Sequence, residues 1–203
     1  IMSRIGGILH FGLVVALAGT FLGSPCPYPK PPKIPKLEQV CKQEPLDKDK
    51  TAIFIVDMED GWVKEESKFM AEKFKDYRKN INWDEKVENQ VSLLNYAKEN
   101  NVPVYVFELF MNGNTIPEIR DALDDADYQT YKKFNADVYS ETFVKQDMKK
   151  KPIKADIEKE LHSKGIENVI IAGHHKYDCV RRNVYASNLL GFNVIYSEDL
   201  VLG

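Results

Sequence analysis

The segment Asn168-Val-Ile-Ile-Ala-Gly-His-His-Lys-Tyr-Asp-Cys-Val180 decides how this 203-residue chain folds. Asn168 to Ala172 is a short apolar run rich in β-branched residues, and it reads as a strand buried on both faces. Gly173 to Asp178 is a short turn that carries two adjacent histidines. Cys179 then opens a helical pattern, Val180 to Leu190, which Gly191 closes. Phe192-Asn-Val-Ile-Tyr196 follows as a second apolar run. A buried strand, a turn, a helix and another buried strand form one unit of a parallel sheet.

Upstream, Thr51-Ala-Ile-Phe-Ile-Val56 is a further run of this kind, and it ends in Asp57. After Asn82-Trp-Asp84, Val87, Val91, Leu94 and Ala97 recur at helical spacing until Asn100-Asn101. Val102-Pro-Val-Tyr-Val-Phe107 reads as a strand, with Pro103 confined to its start. Ile153 to His162 reads as a helix stopped by Gly165. Lys64 to Lys79 reads as a solvated helix with Phe69, Phe74 and Tyr77 against the body. This alternation predicts an α/β fold with three layers, α/β/α, around a mostly parallel sheet. In such sheets ligands bind at the carboxyl ends of strands, where Asp57 and the turn before Cys179 both lie.

The amino-terminal quarter has a different texture. A short basic start, Met2-Ser-Arg4, leads into the apolar run 5–22, and Ala16-Leu-Ala18 offers a small-residue cleavage site. Residues 1–24 therefore read as a signal peptide or membrane anchor. Residues 25–48 are rich in Pro and Lys and read as an extended linker. The folded domain is expected over 49–203. This organisation predicts an exported or membrane-tethered protein, with any attachment made through residues 5–22. Lys and Arg number 28 against 31 Asp and Glu, so no basic excess points to nucleic acid as a partner. Three cysteines are too few for a disulfide scaffold. Cys26 and Cys41 pair if the chain is exported and stay free in a reducing compartment.

Three residues invite chemistry. Cys179 stands at a helix start, where the helix dipole and a nearby lysine favour the nucleophilic thiolate. Taken alone it reads equally as a small buried hydrophobe. Asp57 is positioned to accept a thiol proton, or to cap the following segment. Lys133, in Tyr131-Lys-Lys-Phe134, offers a cation or merely a solvated surface. Together they make a base, a cation and a nucleophile.

Their spacing resembles that of the isochorismatase-like cysteine hydrolases, which include nicotinamidases and related amidohydrolases. In that family the first strand ends in Asp, followed two residues on by Gln or Asn and five on by an aromatic residue. Here Asp57, Glu59 and Trp62 stand in those places. Lys133, Asp137 and Tyr139 match the family's lysine with its partners four and six on. Gly173, Cys179-Val180 and Gly191-Phe192 match the strand–Gly, Cys-Val and Gly-aromatic sequence. The resemblance spans residues 51–203.

It implies Asp57 as general base, Lys133 as the steadying charge and Cys179 as the nucleophile on a carbonyl. It also implies an oxyanion site at the backbone amides of Cys179 and His175, a cis peptide between His174 and His175, and a substrate pocket that includes His174 and Trp62. A homo-oligomer with a shared pocket is a further implication. Several positions depart from the family. His174, His175 and Lys176 stand where smaller residues or Thr are usual, and Asn183-Val184 replaces Thr-Ala. Glu108-Leu-Phe-Met111 lacks the histidine of the nicotinamidase Asp-x-His metal motif. The side chains of His174 and His175 would point apart on an extended chain, so no metal and no cofactor are expected. The family usually continues with a further helix and strand, so the resemblance implies a domain without its last elements. The resulting expectation is a metal-independent hydrolase of a small amide or related carbonyl compound. The alternative is a non-catalytic binding or assembly subunit on the same fold.

Overall fold

In the computed structural model the described residues are 46–62, 77–110, 112–124, 126, 128–145 and 152–203. They belong to one unit of the chain, residues 32–203. The expected signal or anchor, nearly all of the linker, Cys26, Cys41 and most of the Lys64–Lys79 segment lie outside them.

Strand β1, Thr51–Val56, is buried along its whole length, as an unbroken apolar run requires. Helix α1, Trp83–Asn100, buries Val87, Leu94 and Ala97 and ends at Asn101 in the left-handed conformation. Strand β2, Val104–Leu109, lies parallel to β1 with Ile53 opposite Val104. A short helix α2, Pro117–Ala122, leads to β3, Tyr128–Lys133, and the edge strand β4, Thr142–Val144. Helix α3, Ile157–Ser163, starts later than its apolar pattern suggested. Asp156 caps it by accepting the Lys159 N–H, and Ala155 N–H is already bonded to Thr142. Strand β5, Asn168–His174, precedes helix α4, Arg181–Leu189, and strand β6, Asn193–Leu202. Both β5 and β6 run past the ends of their apolar segments. Cross-strand pairing of Gly173 with Val201 and of His174 with Leu202 extends them.

The sheet order is β4-β3-β2-β1-β5-β6, with β4 antiparallel to β3 and the other neighbours parallel. Side chains alternate between faces. Phe54, Val56, Val169 and Ile171 join Ile157 and Leu161 of α3 on one face. Ile53, Ile55, Ile170 and Ala172 join Val87 and Leu94 of α1 and Ile119 of α2 on the other. These two apolar cores make the three layers that the alternation predicts. From β1 the chain winds outward through β2 to β3, then returns to β5 on the opposite side of β1. The order reverses between β1 and β5, and the crevice at their carboxyl ends is where such sheets bind ligands.

No helix among the described residues is long and apolar enough to cross a membrane.

Candidate active site

Asp57 leaves β1 at the reversal point in the left-handed backbone region, with φ 55°. Asp tolerates that region better than most residues, and its N–H is still held by the Phe107 carbonyl at 2.9 Å. Across the crevice, Gly173 has φ 127°, and a Cβ there would lie 2.0 Å from the Val56 carbonyl oxygen. Only glycine permits β5 to approach β1 this closely. That approach sets the turn after β5 beside Asp57. The turn then winds through Lys176–Val180 as a π-type coil before α4 begins. Two N–H groups, of Asp178 and Val180, bond to the His175 carbonyl, each at 3.1 Å. The His174–His175 peptide is cis, as the resemblance implies.

Lys133 enters from β3, two strands away. Its side chain is 0% exposed, so the surface reading of Tyr131-Lys-Lys-Phe134 is overturned. On β3, Tyr131 and Lys133 share the face turned toward the α3 core, while Lys132 projects to the other. The Lys133 ammonium lies 2.8 Å from Asp57 Oδ2 and donates to the carbonyls of Asn135 at 3.1 Å and Ala136 at 3.4 Å. Burial alone would lower its pKa, but the charges of Asp57 and Cys179 overcome burial and hold it above the ordinary lysine range.

Cys179 is 9% exposed, a free thiol in the apolar core cluster, and it interacts with the Asp57 carboxyl. Burial pushes the thiol up, against the pull of Lys133. Burial therefore outweighs the helix-start argument for a thiolate. Burial also lifts the Asp57 carboxyl, with Lys133 opposing. Asp57 Oδ1 receives no hydrogen bond from nitrogen or oxygen.

An aromatic cluster gathers around His174 at the end of β5. The His174 ring is 1% exposed and packs 4.8 Å from the Trp62 ring and 6.3 Å from that of Trp83. Its Nε2 is hydrogen-bonded to the Tyr77 hydroxyl at 2.6 Å, and Nδ1 has no partner. Burial, with His175 beside it, lowers the His174 pKa to about 3. A depressed imidazole stabilises the fold fully above its ordinary value of 6.5 and loses that stability as pH falls toward about 3. Acidifying from neutrality to pH 5 is expected to cost about 2 kcal/mol through this group. Chemical denaturation at both pH values, in wild type and in His174→Phe, checks it. The fall should shrink in the variant, and an equal fall in both would reject the assignment.

Two neighbours of the triad escaped sequence reasoning as site residues. Asn183, 0% exposed on α4, accepts the Val138 N–H at 2.8 Å and donates to the carbonyls of Ala136 and Cys179 at 3.1 and 2.9 Å. It ties the turn of Cys179 to the loop that holds Lys133, and its place four residues after Cys179 on a helix was the available signal. Glu59 is also 0% exposed. It accepts the indole N–H of Trp62 at 2.9 Å, the Asn112 amide at 3.2 Å and the Leu109 N–H. Its place two residues after Asp57 was legible, but its burial was not.

Glu108 is occupied. Thr115 donates to it through N–H and hydroxyl, and Lys132 and Lys145 approach it at 2.9 and 2.7 Å. Burial alone would raise its carboxyl, and the bonds from Lys145, Thr115 and Lys132 hold it below the ordinary range. It lines a cavity of about 140 Å³ with Val106, Thr130 and Arg120, on the face of the sheet opposite the Lys133 side chain. Among the described residues no group of three or more His, Cys, Asp or Glu is placed to hold a metal ion.

The family model of the isochorismatase domain matches residues 51–203. The chain belongs to the isochorismatase family. Solved structures share the fold at low identity. The YcaC gene product of Escherichia coli, described as an octameric hydrolase of unknown specificity, is 22% identical with a TM-score of 0.52, over 79% of this chain and 69% of that one. The nicotinamidase SaPncA of Staphylococcus aureus is 12% identical with a TM-score of 0.57, over 75% and 84%. The N-carbamoylsarcosine amidase of Thermoplasma acidophilum is 17% identical with a TM-score of 0.54, over 76% and 84%. No curated protein matches the sequence. In this isochorismatase domain the expected residues Asp57, Lys133 and Cys179 meet at the strand-order reversal, while Trp62, His174 and His175 pack against one another.

Proposed function

We propose that this chain is a cysteine hydrolase of a small amide or related carbonyl compound. The observation that carries the reading is the convergence of a thiol, a carboxylate and an ammonium from three separate strand ends, each almost wholly removed from water. Burying a carboxylate and an ammonium is costly and gains little stability over apolar residues, so their presence beside a thiol favours a catalytic use.

In the proposed reaction Cys179 Sγ attacks the substrate carbonyl carbon while its proton passes to Asp57. The carbonyl oxygen becomes an oxyanion, for which the backbone N–H groups of His175 and Cys179 are the proposed donors. Collapse expels the amine, which takes the proton from Asp57 and leaves a thioester on Cys179. Water attacks the thioester with Asp57 again as base, and the acid product departs as the thiol is restored. Lys133 keeps Asp57 ionised while the neighbouring thiol is still neutral. Trp62, which is only partly buried, is the proposed apolar contact for a planar or small uncharged group.

A nicotinamidase and an N-carbamoylsarcosine amidase share the fold, which makes nicotinamide and N-carbamoylsarcosine the first amides to try. The octameric relative supports a homo-oligomer for this chain as well. The apolar run 5–22 supports an exported or membrane-tethered placement.

The test is a screen of small amides, quenched during turnover and read by peptide mass spectrometry. Acyl adducts confined to the Cys179 peptide are the expected result. Turnover with no such adduct rejects the thioester route. An absence of turnover across the panel, together with a thiol whose alkylation rate is unchanged in Lys133→Ala, leaves the non-catalytic subunit as the better reading.

A further inference from the structure

Asp57, Glu59 and Lys133 are all 0% exposed. This site therefore holds two carboxyl groups and one ammonium with no access to water. With both carboxyls ionised, an uncompensated negative charge would lie in a low-dielectric crevice, which costs several kcal/mol. A site of this composition retains one proton. The ammonium decides which carboxyl keeps it. Lys133 Nζ is 2.8 Å from Asp57 Oδ2, whereas the hydrogen bonds of Glu59 come from Leu109, Trp62 and Asn112.

We propose that Glu59 is a positioning residue that holds the resting site's extra proton, leaving Asp57 as the ionised base, and that its ionisation in alkali limits the reactivity of Cys179. This rests on the cysteine-hydrolase reading only for its catalytic consequence.

Glu59 can be satisfied as a neutral acid. Oε1 accepts the Leu109 N–H and Oε2 accepts the Trp62 indole N–H. The acid proton on Oε2 is then donated to the Asn112 amide, which lies 3.2 Å away and presents oxygen once its ends are exchanged. Burial, followed by the charge of Asp57, pushes the Glu59 carboxyl up to about 8. The charged and titratable groups around the pair are Lys133 from β3, Cys179 and Asp178 from the π-type turn, and neutral His174 against Trp62. Of these, Lys133 alone is cationic. An ionised Glu59 therefore competes with Asp57 and with the developing thiolate for one counter-charge. The neutral acid resembles the Gln or Asn that the family carries two residues after its aspartate, so the departure at Glu59 adds a titration without changing the shape of the site.

Infrared spectroscopy reads the proton directly. In wild type at pH 6.5 the carbonyl stretch of a protonated carboxylic acid is expected, lost on titration through about pH 8. Labelling with ¹³C-glutamate should shift the band, which assigns it to Glu without any substitution. Glu59→Gln should abolish it. A band that resists the glutamate label, or survives in Glu59→Gln, places the proton elsewhere and overturns the proposal, as does the lack of any band.

Iodoacetamide labelling of Cys179 supplies the functional arm. Its rate should stop rising with pH above about 8 in wild type and continue to rise in Glu59→Gln. Superposable profiles would remove the proposed control of Cys179. The infrared band reports protonation whether or not an amide is turned over, so a failure of the hydrolase reading is distinguishable from a failure of this one.

Discussion

Lys133→Met is expected to lower stability by about 3–5 kcal/mol, read as a fall in the denaturant midpoint at unchanged slope. The substitution removes the one ammonium from a site that contains Asp57 and Glu59, both inaccessible to water. It also leaves the Asn135 and Ala136 carbonyls without their shared donor. With Glu59 already holding a proton, Asp57 is left as a buried carboxylate with no counter-charge, and it must take up a proton or stay ionised at a heavy cost; either outcome penalises the native state at neutral pH.

The double variant Asp57→Asn with Lys133→Met should regain much of the loss, because no buried charge then lacks its partner. Its hydrolysis should not return, because the base is gone. A single-variant loss below about 1 kcal/mol would match an exposed ion pair and would contradict the burial of this one. Recovery of activity in the double variant would remove Asp57 from the proposed chemistry.

Cys179→Ala is expected to lower turnover of any amide the wild type hydrolyses by at least roughly 10³-fold, with stability changed by only about 1 kcal/mol. The asymmetry follows from the surroundings of the thiol. Cys179 is 9% exposed and contributes a single small side chain to the apolar core, so its loss costs little packing. Its sulfur is nonetheless the sole cysteine sulfur among the described residues. Initial rates and thermal melts on the same preparations check both halves. Retained turnover would transfer the nucleophile's role to water and reduce Cys179 to packing. A collapse of stability would show that the thiol is needed for the fold instead.

How far the sequence could be read differs from element to element. The runs Thr51–Val56 and Asn168–Ala172 were legible because a strand in the middle of a parallel sheet is buried on both faces, which leaves a continuous apolar signature. Strand β3, Tyr-Gln-Thr-Tyr-Lys-Lys, was not legible. It lies near the sheet edge, its side chains alternate in character, and one of its lysines is buried rather than exposed. Helix α2 has a single turn's worth of pattern, too little for periodicity to register. Of the site, Asp57 and Cys179 were marked by where they stand, at a strand end and at a helix start. Lys133 was marked only by its spacing within the family resemblance.

The sequence by itself determined the α/β class, the order of the main strands and the residue types available for chemistry, because these rest on local periodicity and chain order. The tertiary structure decided that Lys133 reaches Asp57 from two strands away, that burial raises the Cys179 thiol, and that Glu59 lies close to Asp57 and Lys133 without access to water. Burial and charge pairing are sums over residues remote in sequence. The protonation of this site is therefore a property of the packed sheet, which no single stretch of the chain encodes.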